Sequence, residues 1–250
     1  MASGAHQEGL AAYLRGDYVA ALRVWRPLAE GGDAATQYDV GVMYGKGRGV
    51  PRDFAEALKW YRKAADQGHA GALYNIAVAY SEGRGVPQDY AEARSWYLKA
   101  AARGHASAEL NLGFMYERGQ GVPPNGAEAW KWYLKAAGQG HASAQFNLGF
   151  MYSKGRGVPQ NDAEACRWYR TAADQGHANA QFNLGLSCLR GLGVAQDFVE
   201  AYKWFSLCAS GETDTKRRAG AEAMRDDVAA LMTQAQIAEA QRLARYWVRK

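Results

Sequence analysis

The tripeptide Gly-His-Ala begins at Gly68, Gly104, Gly140 and Gly176, 36 residues apart each time, and Gly-Asp-Ala at Gly32 extends the series backwards. A fixed period of this length marks a repeat architecture. Each unit is one supersecondary element that cannot bury its apolar face alone and must stack on its neighbours. On this frame the chain divides into five units, 33–68, 69–104, 105–140, 141–176 and 177–211, the last one residue short.

Within a unit the text reads helix, loop, helix. Helix A runs from about Ala34 to Tyr44 and recurs with the period. Its apolar columns are Tyr38/Tyr74/Leu110/Phe146/Phe182, Val40/Ile76/Leu112/Leu148/Leu184 and Tyr44/Tyr80/Tyr116/Tyr152/Cys188. These spacings cover a wide arc, so helix A is touched on more than one side. A further column is Gly41, Ala77, Gly113, Gly149 and Gly185. A mid-helix glycine costs about 1 kcal/mol relative to alanine. Its recurrence predicts a close helix crossing with no room for a side chain.

Helix B opens on Asp53, Asp89, Asn125, Asn161 and Asp197, with Glu56, Glu92, Glu128, Glu164 and Glu200 three residues on. This resembles a capping box with an Asx in place of Ser or Thr. The helix then carries Ala57, Trp60 and Ala64, a spacing that makes one apolar face. The column Trp60, Trp96, Trp132, Trp168 and Trp204 is therefore read as core. Trp130 falls outside it and is expected at the surface. Gly68 and its counterparts end helix B as C-cap glycines.

The loop between the helices, "GKGRGVPRD" at Gly45–Asp53, looks like a phosphate cradle when taken alone. Its copies say otherwise. Gly47, Gly49, Val50 and the capping Asp/Asn recur, whereas Lys46 becomes Glu82 and Arg48 becomes Gln120 and Leu192. What persists is what a turn needs, and the stretch is read as the A-to-B corner.

The ends differ. Residues 1–32 read as a shorter helical hairpin, with Asp17 matching Asp53 and Trp25 matching Tyr61. Residues 212–250 read as two capping helices, the second begun by Thr233 with Gln236 in box position. Terminal units that cover the last open core are what a stacked array needs.

The pattern "AQFNLGFMYSKGRGVPQNDAEACRWYRTAADQGHA" (144–178) resembles the Sel-one-like repeat, a relative of the tetratricopeptide repeat, and it occurs five times over about 180 residues. The leading pair looks more like a tetratricopeptide hairpin. The resemblance implies an all-α fold, a right-handed α-solenoid of antiparallel helix pairs (an alpha-alpha superhelix) with the A helices lining a concave face. It also implies a scaffold or adaptor role in protein complexes, often in bacteria. Cysteine-rich bacterial relatives carry a disulfide in each repeat and have been linked to β-lactam binding. Cys166, Cys188 and Cys208 are not paired within repeats, so that hydrolase-type reading does not carry over. The three are expected as buried free thiols, with a Cys188–Cys208 bridge as the alternative.

Composition narrows the function further. Net charge is +5, with eight Lys/Arg against four Asp/Glu in 216–250. That is thin for nucleic acid, which usually requires a denser basic stripe. No run approaches the ~18 apolar residues of a membrane helix. No secretory signal is read at Met1. The chain is expected to be soluble, in the cytoplasm or, if a signal has been removed, in the bacterial periplasm or outside the cell. It is also expected to be monomeric.

No nucleophile elbow, H-E-x-x-H or Walker pattern occurs. An enzyme is not expected, nor a cofactor or a metal. His69, His105, His141 and His177 lie one per repeat, on the order of 10 Å apart by helix-packing distances, whereas zinc ligands sit about 2.1 Å from one ion. They read as residues that begin helix A, where the first unit has Asp33.

The candidate binding residues follow a line along helix A at i, i+4, i+7 and i+11, positions the core columns leave unused. Unit three gives Ser107, Asn111, Phe114 and Arg118. Unit four gives Ser143, Asn147, Phe150 and Lys154, and unit five Asn179, Asn183, Leu186 and Arg190. Ala35, Asp39, Val42 and Lys46, then Gly71, Asn75, Val78 and Glu82, precede them. Asparagine amides can bond an extended peptide backbone, Phe114, Phe150 and Leu186 can meet apolar side chains, and the cations acidic ones. The plain alternative is that the asparagines bond the scaffold. The expected partner is thus a protein or peptide segment. A single-stranded RNA binder, reading one base per repeat, is the second reading, and it predicts a basic groove and steep salt dependence.

Overall fold

The computed structural model describes residues 2–249, and its regular structure is entirely helical. In chain order the helices are α1 (Ala2–Leu14), α2 (Tyr18–Glu30), α3 (Ala34–Lys46), α4 (Phe54–Asp66), α5 (Ala70–Glu82), α6 (Tyr90–Ala101) and α7 (Ala106–Arg118). There follow α8 (Gly126–Gly138), α9 (Ala142–Lys154), α10 (Asp162–Asp174), α11 (Ala178–Arg190), α12 (Phe198–Gly211), α13 (Thr215–Ala229) and α14 (Gln234–Arg245). The chain forms two compact units, one through Pro124 and one from Asn125. Odd-numbered helices α3 to α11 are the A helices and even-numbered α4 to α12 the B helices.

Within the first unit each helix packs on its sequence neighbours, and Val40, Ile76 and Leu112 are fully buried. Leu148 and Leu184 hold the same place in the second. The glycine column marks the closest approach. A Cβ on Gly41 would lie 2.6 Å from the Tyr61 ring, one on Gly149 2.6 Å from Tyr169, and one on Gly185 2.9 Å from Phe205. Gly9 repeats the device in the N-terminal hairpin, with Trp25 in the tyrosine's place.

Two positive-φ glycines build each corner. Gly47 (φ 66°) ends α3, and its N–H donates to the Met43 and Tyr44 carbonyls. Gly49 (φ 71°) then lies against the first residue of the preceding B helix, where an added Cβ would be 2.8 Å from the Tyr18 carbonyl. Gly85 meets Phe54, Gly121 meets Tyr90, Gly157 meets Gly126 and Gly193 meets Asp162 in the same way. Each corner therefore rests on the one before it. Two of the corner arginines are occupied: Arg48 lies over the Tyr13 and Tyr18 rings and Arg84 pairs with Glu82.

Gly68 sits one residue beyond the C-cap Gln67. Its N–H donates to the Ala65 carbonyl and that of His69 to Ala64, a Schellman pair that recurs at Gly104, Gly140 and Gly176. Gly211 is different, since it lies inside the longer α12.

Three sequence expectations are corrected. Asp53, Asp89, Asn125, Asn161 and Asp197 do accept the N–H of the glutamate three residues on. The box is not closed, however. The backbone N–H of Asp53 already donates to the Tyr44 carbonyl at 3.0 Å, and Glu56 turns to Lys59 at 2.8 Å. Only Thr233 with Gln236, among the described helix starts, forms the reciprocal pair.

The tryptophan column is the second. Trp60 and Trp204 are buried, but Trp96, Trp132 and Trp168 are half-buried. Their faces are finished by cations: Lys99 at 3.9 Å, Lys135 at 4.1 Å and Arg167 at 5.4 Å. The third is Trp130, which is half-buried with its Nε1 fully enclosed. Leu58, Cys166 and Tyr202 in its column are buried too, so the position faces inward. All three cysteines are buried free thiols, and no bridge forms.

Candidate functional site

The A-helix line emerges half-buried, with its cations exposed. In the first unit it borders two clefts. One, of about 270 Å³, is lined by Tyr38, Val42, Lys46, Asn75, Val78 and Arg84 among others. The other, of about 360 Å³, brings Asn111, Phe114 and Arg118 together with Glu82, Tyr90 and Tyr97. Arg118 lies over Phe114, 5.3 Å from the ring centre.

The asparagines have scaffold partners in part. Burial raises the Tyr38 and Tyr61 hydroxyls, and the Asn75 amide beside them acts against it. The Asn111 amide nitrogen donates to the Tyr74 hydroxyl at 3.4 Å. Burial pushes the Tyr97 hydroxyl up to about 12, and Ser81 and Asn111 act against it. In the first repeat the same position is Asp39, whose carboxylate lies 2.7 Å from His6 Nε2.

In the second unit Asn183 acts against the burial that raises the Tyr169 hydroxyl. The Asn147 Nδ2 is enclosed and has no hydrogen-bond partner among the described residues. Phe150, one turn on, lies under Arg156 at 5.2 Å. Lys154 and Arg190 point to solvent, and Leu186 packs partly on the core. An amide carries two donors and a two-lone-pair acceptor, more than one tyrosine can satisfy.

The histidines are helix caps. The Nδ1 atoms of His69, His105 and His177 accept from the amides of Ala72, Ala108 and Ala180 at 3.2–3.3 Å. His141 makes no such bond. No group of three or more His, Cys, Asp or Glu that could hold a metal occurs among the described residues.

Burial holds His69 and His177 below the ordinary value of 6.5. The native state then binds fewer protons than the unfolded chain, so stability rises with pH through this window. It should be complete above 6.5 and fall as the pH drops toward the native values. The expected result is a urea midpoint that falls on acidification, with a shallower fall in His177→Asp, since Asp33 shows that aspartate can cap this position. Equal slopes in the two proteins would disprove the linkage.

One set of residues escaped the sequence reading. Gln37, Gln145 and Gln181 are buried, and each donates to a carbonyl of the preceding B helix (Ala29, Ala137, Ala173) at 3.0–3.3 Å. Gln67 and Gln175 in turn donate to Gln37 and Gln145. The signal was recurrence at the repeat period of a polar residue inside an apolar arc.

Repeated helix pairs with a half-buried polar line define an all-α, tetratricopeptide-like repeat protein. The sequence pattern of the Sel1 repeat matches 34–69, 70–105, 106–141, 142–177 and 178–211. The chain belongs to the Sel1 repeat family. Among solved structures it is similar to a Sel1 repeat protein from Oxalobacter formigenes (28% identity, 94% of this chain and 96% of that one, TM-score 0.79). It is also similar in fold to a putative Sel1 repeat protein from Klebsiella pneumoniae (22% identity, 82% and 97%, TM-score 0.51). Comparison with curated proteins finds no significant match. No described helix is long and apolar enough to cross a membrane.

Proposed function

We propose that this chain is a non-catalytic adaptor whose five repeats (33–211) bind a protein or peptide segment along the A-helix line, with 1–32 and 212–250 as end caps. The observation that carries this reading is the cleft that brings Asn111, Phe114 and Arg118 together. Asn147, the half-buried Phe150 and the exposed Lys154 repeat that order of amide, ring and cation in the fourth repeat. Such a row offers a peptide apolar contact and a cation for an acidic side chain. The RNA reading has less support, because Arg118 and Arg156 are laid on phenylalanine rings and Arg84 is paired.

The test uses the partner captured from the source organism. Asn147→Ala with Phe150→Ala should weaken its binding at least about tenfold with helicity unchanged by circular dichroism. Unchanged affinity would remove the line as the binding site. Binding of mixed RNA that collapses between low and high salt would favour the second reading.

A further inference from the structure

The aromatic column of the A helices is sealed by histidines at most of its length. Tyr38, Tyr74 and Phe146 are each stacked by the histidine that begins the next repeat, with ring centres 4.5, 4.5 and 4.9 Å apart and planes 25°, 14° and 21° from parallel. After the fifth repeat the tripeptide changes to Gly211-Glu212-Thr213. Glu212 takes the histidine's place in the sequence but is drawn elsewhere. Its Oε1 accepts from the Asp214 amide at 3.0 Å and its Oε2 lies 3.1 Å from Arg217 Nε. Asp214 caps α13 instead.

Among the described residues, no histidine is stacked on Phe182. It meets Phe205 edge-on at 5.4 Å, packs against Cys208, Ala209 and Ala221, and lines a cleft of about 270 Å³ with Asn179, Cys208, Glu212, Arg217 and Gly220. The cleft is half open, so a ring would enter from outside as a side chain does and would be only partly enclosed.

We propose that the cleft binds an uncharged aromatic side chain of a partner polypeptide, stacked on Phe182 as the histidines stack within the repeats. The repeats themselves supply the template, because the same column accepts a flat ring wherever the sequence provides one. Glu212 and Arg217 in the wall are paired with each other, so the cleft presents no unbalanced charge to hold a charged ring. The neutral histidines of the template agree, since burial disfavours their charged form. This cleft is separate from the Asn147–Phe150 line, so the two proposals fail independently.

The test is amide NMR titration with N-acetyl-tryptophanamide, with free indole as the second arm. Saturable shifts at Phe182, Arg217 and Gly220, with Kd on the order of 1 mM for so small a probe, are expected. Gly220→Leu supplies the blocking variant. A Cβ there meets nothing within 4 Å, and leucine is the better helix former, so the fold should survive while the cleft fills. Binding should then weaken at least tenfold, whereas Asn147→Ala with Phe150→Ala should leave it unchanged. The proposal is overturned if the amide gives no saturable shift at these residues, if Gly220→Leu binds equally well, or if only free indole binds.

Discussion

Gly193→Ala should destabilise the second unit by at least about 3 kcal/mol, and Gly104→Ala should destabilise the first by only about 1 kcal/mol. The two glycines share a backbone conformation, with φ 70° and 77°. That conformation costs an L-residue roughly 1–2 kcal/mol wherever it occurs. Their surroundings differ. A Cβ on Gly104 meets nothing within 4 Å, whereas one on Gly193 would lie 2.1 Å from the Asp162 carbonyl oxygen and 2.6 Å from the Ala163 nitrogen. Those atoms belong to the start of α10, and backbone cannot rotate away as a side chain can. The corner would have to lift off the preceding repeat. Urea unfolding of the two variants against the parent gives the comparison, and equal losses would mean that the second corner glycine is kept for its φ alone.

This contrast also shows how much of the fold was legible in the sequence. The period, the two helices per repeat, the close crossing at Gly41 and the turn reading of "GKGRGVPRD" all rest on recurrence. A phosphate site would have to keep its cations. A corner has to keep its glycines, and the structure gives each a separate duty, one ending helix A and one seating the corner on its neighbour. Local chemistry read one residue at a time fared worse. Asp53 and Glu56 fit a capping box, but the donor that would close it is consumed by the Tyr44 carbonyl. That carbonyl belongs to another helix, and no local pattern reveals it. Trp96 and Trp132 carry core spacing but are only half-buried, with the Lys99 and Lys135 ammonium groups over their rings.

The candidate site was legible only as a line of unused positions. Whether each asparagine serves the scaffold depends on which ring stands opposite it in the previous repeat. Asn111 finds the hydroxyl of Tyr74, while in the fourth repeat the same position is Phe146, which has no hydroxyl to offer Asn183. The polarity of the column alone does not say which of its asparagines the scaffold uses. The cleft at Phe182 was hidden for a related reason: it arises where the repeat ends, from the substitution of Glu212 for a ring.

Trp25→Ala should cost about 3–5 kcal/mol locally, yet its effect should stay at the N-terminal end. Trp25 is 1% exposed and fills the space over Gly9, with its Nε1 donating to the His6 carbonyl at 3.1 Å. It also contacts the rings of His6 and Tyr13, at 5.9 and 5.6 Å between centres. Truncation leaves a cavity between α1 and α2 and removes a hydrogen bond that ties them. In a stacked array each element is held mainly by its neighbours, so stability is a sum of local and nearest-neighbour terms. A terminal hairpin touches one neighbour only, and α2 meets the repeats through α3. Losing its central side chain should therefore release α1 and α2 while α3 keeps Val40 and Met43 against Trp60. Hydrogen exchange should show protection lost from α1 and α2 and retained in α5 and α10. A uniform loss across all helices would mean that the array unfolds as one cooperative block, with the hairpin as an integral part of it and not a cap.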